Sequence, residues 1–164
     1  MLINYTIMKI NAIVAFLILS TGFIASAQQT GQESRQVMLE SLSQYGFEQT
    51  VEKLSSAITA KGWKITITHD LQETMKKNGR EVLPVKIIEM CNPGLAYQIL
   101  SKDELRDVSP MLPCRISVYE KSDGKTYLGR MNAPAFASMI GGEAEATVLK
   151  AFEEAEGFVN EVTN

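Results

Sequence analysis

Two sulfur atoms stand at places in this sequence where sulfur can do chemistry. Cys91 ends the largely apolar run Leu83 to Met90 and is followed by Asn92-Pro93, a capping side chain and then proline at the first helical position, which is how helices commonly start. A thiol ahead of a helix N-terminus feels partial positive charge and free backbone N–H groups, so the sequence predicts a lowered Cys91 pKa and thiolate character. Cys114, the second of two cysteines, opens another alternating run. Together they read as a redox couple or as two soft ligands, with Met90, Met111 or Met131 as thioether donors. Thiolate with thioether selects Cu(I) over harder ions, so copper is the metal such a set would take. Two plainer readings stand beside these. One is a structural disulfide, which would contribute roughly 3 kcal/mol in the chain-entropy model. The other is a pair of buried apolar thiols. Asn92 fixes the helix start, and Arg115 either holds a thiolate or anionic ligand or solvates an open sheet face.

His69-Asp70 is a second candidate, a general base beside its orienting carboxylate. Adjacent strand residues point to opposite faces, however, so the plainer expectation is that Asp70 caps the next helix and His69 ends a strand. Ser43, Ser55 and Ser138 lack a nucleophile-elbow context, and Gly141-Gly142 lacks the lysine of a phosphate loop. No catalytic residue is assigned, and the balance is against an enzyme. With two cysteines and one histidine, the chain has too few ligands for a zinc finger.

The elements that must position these residues follow from periodicity. Val37 to Leu42 alternates as a first strand. Phe47, Val51, Leu54 and Ile58 recur at helical spacing over about 48–61, stopped by Gly62. Trp63, Ile65 and Ile67 alternate with polar neighbours as a half-buried strand. Asp70 heads a short helix over 71–78, and Leu83 to Met90 is the next strand, with proline near its start. A helix over 95–101, a polar loop, a strand over 114–121, the turn Ser122-Asp123-Gly124-Lys125 and a strand over 126–131 follow. An irregular stretch, 132–140, leads to a closing helix over about 143–162, on which Ala146, Leu149, Phe152, Ala155, Glu156 and Val159 form a mostly apolar stripe. Short connections favour antiparallel neighbours, so the four strands from Trp63 onward form a meander. That places Cys91 and Cys114 at the same end of the sheet and His69 away from both.

The first 27 residues read as an export signal. Lys9 is the only charged residue before Glu33, an apolar run begins at Ala12, and Ala25-Ser26-Ala27 ends it as a peptidase site. The expected boundaries are a signal over 1–27, a flexible lead-in over 28–36 and one α+β domain over 37–162; Met8 is as good a start as Met1. The expected location is periplasmic or secreted, free of the membrane once the signal is removed. Sixteen basic against 19 acidic side chains give a net charge of −3. There is no basic stripe for nucleic acid.

His69-Asp70-Leu71 before a short helix, Cys91-Asn92-Pro93 after a strand, Leu112-Pro113-Cys114-Arg115 opening another, and the Thr50-Val51-Glu52-Lys53-Leu54 helix together resemble the domain of unknown function 302 family over about Phe47 to Val159. Met131-Asn132-Ala133-Pro134 matches it only loosely. The resemblance implies a two-layer α+β fold of β-α-β4-α type, a curved antiparallel sheet of four to five strands backed by helices on one face, often paired as a homodimer. It implies no reaction. Three readings follow. The first is an exported ligand-binding or thiol-redox module using Cys91 and Cys114, acting on a small ligand or a redox partner. The second is an interaction protein dimerising through its open sheet face, with the cysteines in a structural disulfide. The third is a small hydrolase or isomerase centred on His69 and Asp70.

Overall fold

A computed structural model describes residues 36–164. The expected export signal, 1–27, and all of the lead-in but Gln36 lie outside the described residues. Five strands, β1 (Met38–Leu42), β2 (Lys64–Asp70), β3 (Val85–Cys91), β4 (Cys114–Glu120) and β5 (Thr126–Met131), form one sheet in the order β1-β5-β4-β3-β2. Every neighbouring pair is antiparallel. Strands β2 to β5 are the expected meander, and β1 closes the sheet by pairing with β5. With helices α1 (Phe47–Ala60) and α5 (Gly142–Thr163) packed over one face, this is the two-layer α+β fold the sequence implies. No helix among the described residues is long and apolar enough to cross a membrane.

The core lies between that face and the two long helices. Leu54 and Ile58 of α1 meet Phe158, Val159 and Val162 of α5 over Ile88, Met90, Ile116, Val118 and Leu128 of the sheet. Trp63 is 1% exposed, with its ring edge-on to Phe158 at 5.6 Å. The buried stripe of α5 runs through Ala144, Thr147, Ala155, Phe158, Val159 and Val162. In the first turns it is displaced by one position from the expected stripe, so that Thr147 is buried and Ala146 exposed. Gly141 and Gly142 carry successive positive φ angles of 72° and 59°, the backbone reversal that starts α5.

Alternation along β2 fails once. Ile65 pairs with Met90 while Ile67 pairs with Glu89, so the register slips between them. A bulge of this kind sends later side chains to the other face. Ile65 therefore packs on the core, Ile67 is left 47% exposed on the open face, and His69 follows it there. Trp63 lies just ahead of the strand rather than in it. The remaining connections are α2 (Leu71–Lys77), α3 (Pro93–Leu100), a 3-10 segment (Asp103–Met111) where a polar loop was expected, a short 3-10 turn (Ala133–Ala135) and α4 (Ala137–Ile140).

Candidate functional site

Cys91 is the last residue of β3 and Cys114 the first of β4, and Met90 sits directly across from Cys114. The expected common end of the sheet is thus observed. Pleating puts Cys114 on the core face with Met90 and turns Cys91 toward the opposite side. Both are free thiols, so the disulfide of the second reading is not what the structure holds.

Both thiols line one cavity of about 380 Å³, within the roughly 300–1,000 Å³ range of small-molecule pockets. It starts between the core face of the sheet and helices α3 and α5, against Trp63, Met90, Leu95, Ile99, Ala151 and Phe152. It then reaches around the ends of β4 and β5 to the open face. Val108, Pro110, Met111 and Leu112 form one side, and Ala133 and Phe136 another. Pro110-Met111-Leu112, just ahead of β4, and the irregular segment after β5 are therefore walls.

The deep polar groups are few and paired. Arg130, 10% exposed, points from β5 to Glu156 of α5 through Nε and Nη2 at 2.5 and 2.6 Å, and donates from Nη1 to Ser41 Oγ at 2.9 Å. Glu154 accepts from Trp63 Nε1 at 2.7 Å and from Asn92 Nδ2 at 3.4 Å. Asn92 caps α3 as expected, its Oδ1 accepting from Gly94 N at 3.0 Å and Leu95 N at 3.3 Å. One side chain thus starts α3 and ties it to α5 and to Trp63. Gly129 is crowded, since a Cβ there would stand 2.7 Å from Ser117 Oγ and 3.2 Å from the Tyr119 ring and those side chains would have to shift.

The cap corrects the expected activation of Cys91. The N–H groups at the start of α3 are directed at Asn92 Oδ1 and not at sulfur, while partial burial pushes the Cys91 thiol above its ordinary pKa. Burial and then the neighbouring Cys91 charge push Cys114 up to about 11, against the opposing pull of Arg115. Both shifts favour the neutral thiol over the thiolate. Since the thiolate is the reactive form, iodoacetamide labelling of the native protein is expected to be slow at pH 7. Its rate should rise with pH beyond 9, with Cys114 lagging Cys91. Rapid labelling at pH 7 that plateaus below pH 8, read by mass spectrometry, would show an activated thiolate instead.

His69 is held away from the cavity. Its imidazole Nε2 lies 3.3 Å from Glu89 Oε1 on the open face, and the same oxygen accepts from Arg115 Nε at 2.8 Å. Arg115 first, and His69 after it, hold the Glu89 carboxyl below its ordinary pKa. Asp70 Oδ1 caps α2 by accepting from Glu73 N at 2.8 Å. The carboxylate beside His69 is thus Glu89 and not the adjacent Asp70. Neither His69 nor Asp70 lines the cavity beside the two thiols, and the Asp70 side chain is engaged in the cap of α2. Among the described residues no cluster of three or more His, Cys, Asp or Glu could hold a metal ion. Met90, Met111 and Met131 do line the same cavity as the two sulfurs.

Sequence reasoning missed Trp63 and the Arg130–Glu156 pair as parts of this site, and Glu154 as the acceptor behind Trp63. Only Glu156 left a signal, a carboxylate inside an otherwise apolar helical stripe.

The family model described as "Domain of unknown function DUF302" matches residues 39–162. The chain belongs to the DUF302 family. Among solved structures it is similar to an uncharacterized conserved DUF302 protein from Bacillus stearothermophilus, with a TM-score of 0.68 at 19% identity. That match covers 77% of this chain and 98% of the other. At such identity the likeness concerns the fold. No curated protein matches the chain.

Proposed function

We propose that this DUF302 chain is an exported binding module that takes an apolar small molecule into the cavity beside Cys91 and Cys114. The observation that carries the reading is the cavity itself, a largely apolar hollow bounded by the sheet end, α3 and α5. Its few deep polar groups are satisfied by one another, so an apolar occupant would leave none unpaired. Export rests on the arrangement of Lys9, the apolar run and Ala25-Ser26-Ala27. Cys91 and Cys114 serve here as neutral, polarisable wall atoms. Burial that favours the neutral thiol at both weighs against the redox and Cu(I) versions of the same reading.

Trp63, the only tryptophan, lines the cavity and reports on it. Adding decanol is expected to change its fluorescence saturably and to raise the melting temperature, since a ligand bound only by the native state stabilises it. Ala151→Phe, which fills the cavity from α5, should abolish both responses while leaving the circular dichroism unchanged. No saturable response in the unaltered protein would overturn the reading.

One observation favours the interaction reading as an alternative. Met38 and its cross-strand partner Met131 are 56% and 48% exposed on the open face of the sheet, with Leu42 at 48% further along β1, exposed apolar groups of the kind found at association surfaces. In that reading the chain is a homodimer joined through this face. A dimer by light scattering together with no response to decanol would favour it.

A further inference from the structure

The mouth of the cavity is defined by residues that both line it and stand in solvent. Met38, Met131 and Arg115 do so, with 56% and 48% exposure for the methionines and 51% for the arginine side chain. Met38 lies across from Met131, and Ile116 lies across from Arg130, so Arg115, Met131 and Met38 follow one another across β4, β5 and β1 on the open face. Among the described residues, three charged ones line the cavity. Arg130 and Glu156 neutralise each other within it. Among the described residues, Arg115 is the cation at the mouth.

The Arg115 guanidinium is used on one side. Nε donates to Glu89 Oε1 at 2.8 Å, and among the described residues Nη1 and Nη2 make no hydrogen bond. A guanidinium edge with two parallel N–H groups matches a carboxylate bidentately. Glu89 already occupies Nε and would repel a doubly charged group, and His69 on the other side of Glu89 fixes that carboxylate in place. Resting on the cavity reading above, we infer that the occupant is a monoanionic amphiphile. Its apolar body lies beside Trp63 and the two thiols, and its single carboxylate is clamped by Nη1 and Nη2 of Arg115 at the mouth.

Decanoate and decanol, titrated below micelle formation and followed by Trp63 emission, separate the head group from the body. Decanoate is expected to bind at least about 10-fold more tightly than decanol at low salt. Added salt should weaken decanoate alone, because the contact is exposed. Arg115→Gln should reduce decanoate affinity about 10-fold or more and leave decanol within about 2-fold. Glu89→Gln removes the competing charge and should tighten decanoate, a gain that a purely structural role for the ion pair would not produce. In the double variant E89Q/R115Q decanoate should stay weak, which rules out mere repulsion by an orphaned Glu89. Decanol binding with decanoate unaffected by Arg115→Gln would overturn the clamp and leave the cavity reading standing. Binding of neither probe would overturn both.

Discussion

Replacing Glu156 with alanine is expected to lower the unfolding free energy by as much as about 3–5 kcal/mol, since breaking one partner of a largely buried pair leaves an uncompensated charge. Arg130 is only 10% exposed and gives Glu156 two of its three hydrogen-bonded contacts. Without the carboxylate its guanidinium stays in an apolar wall with Ser41 alone. Joint replacement, Arg130→Met with Glu156→Leu, removes both charges and fills similar volume. It is expected to cost far less than the single change. Urea unfolding of the two variants checks this; equal losses in both would mean that the pair does not act as a unit.

Trp63→Ala should be as severe, about 3–5 kcal/mol, the range for removing a large aromatic side chain from a core. The indole is 1% exposed, packs edge-on against Phe158, and donates to Glu154. Its removal takes away a cavity wall and leaves the Glu154 carboxylate with Asn92 as its remaining side-chain donor. Trp63→Phe keeps most of the packing and loses the N–H, so it should fall between the native protein and alanine. A loss below about 1 kcal/mol for Trp63→Ala would show that the surrounding side chains collapse into the space. Chemical denaturation monitored by circular dichroism measures both variants, since the fluorophore is absent.

Much of the site could be read one element at a time. Asn92-Pro93 and Asp70 announced their helix starts, because a cap is a contact between residues two or three apart. The shared end for Cys91 and Cys114 followed from strand direction. The electrostatics of Cys91 did not follow, because whether a helix start activates a thiol depends on which atom takes the N–H groups. Here Asn92 takes them. The fate of Ile67 and His69 was equally hidden, since alternating side chains look alike on either side of a bulge until the partner strand is present. His69 and Arg115 meet through Glu89 only once β2, β3 and β4 are side by side.

The sequence by itself determined the order of strands and helices, the antiparallel meander and the family, for these are written in periodicity, turn residues and short motifs that act within a few positions. The tertiary structure alone decided that burial raises the pKa of both sulfurs, that Arg130 and Glu156 pair, and that a hollow remains between the sheet end, α3 and α5. Those properties arise from burial and from contacts between distant segments. A thiol's proton affinity and the volume left between side chains exist only after the segments have packed.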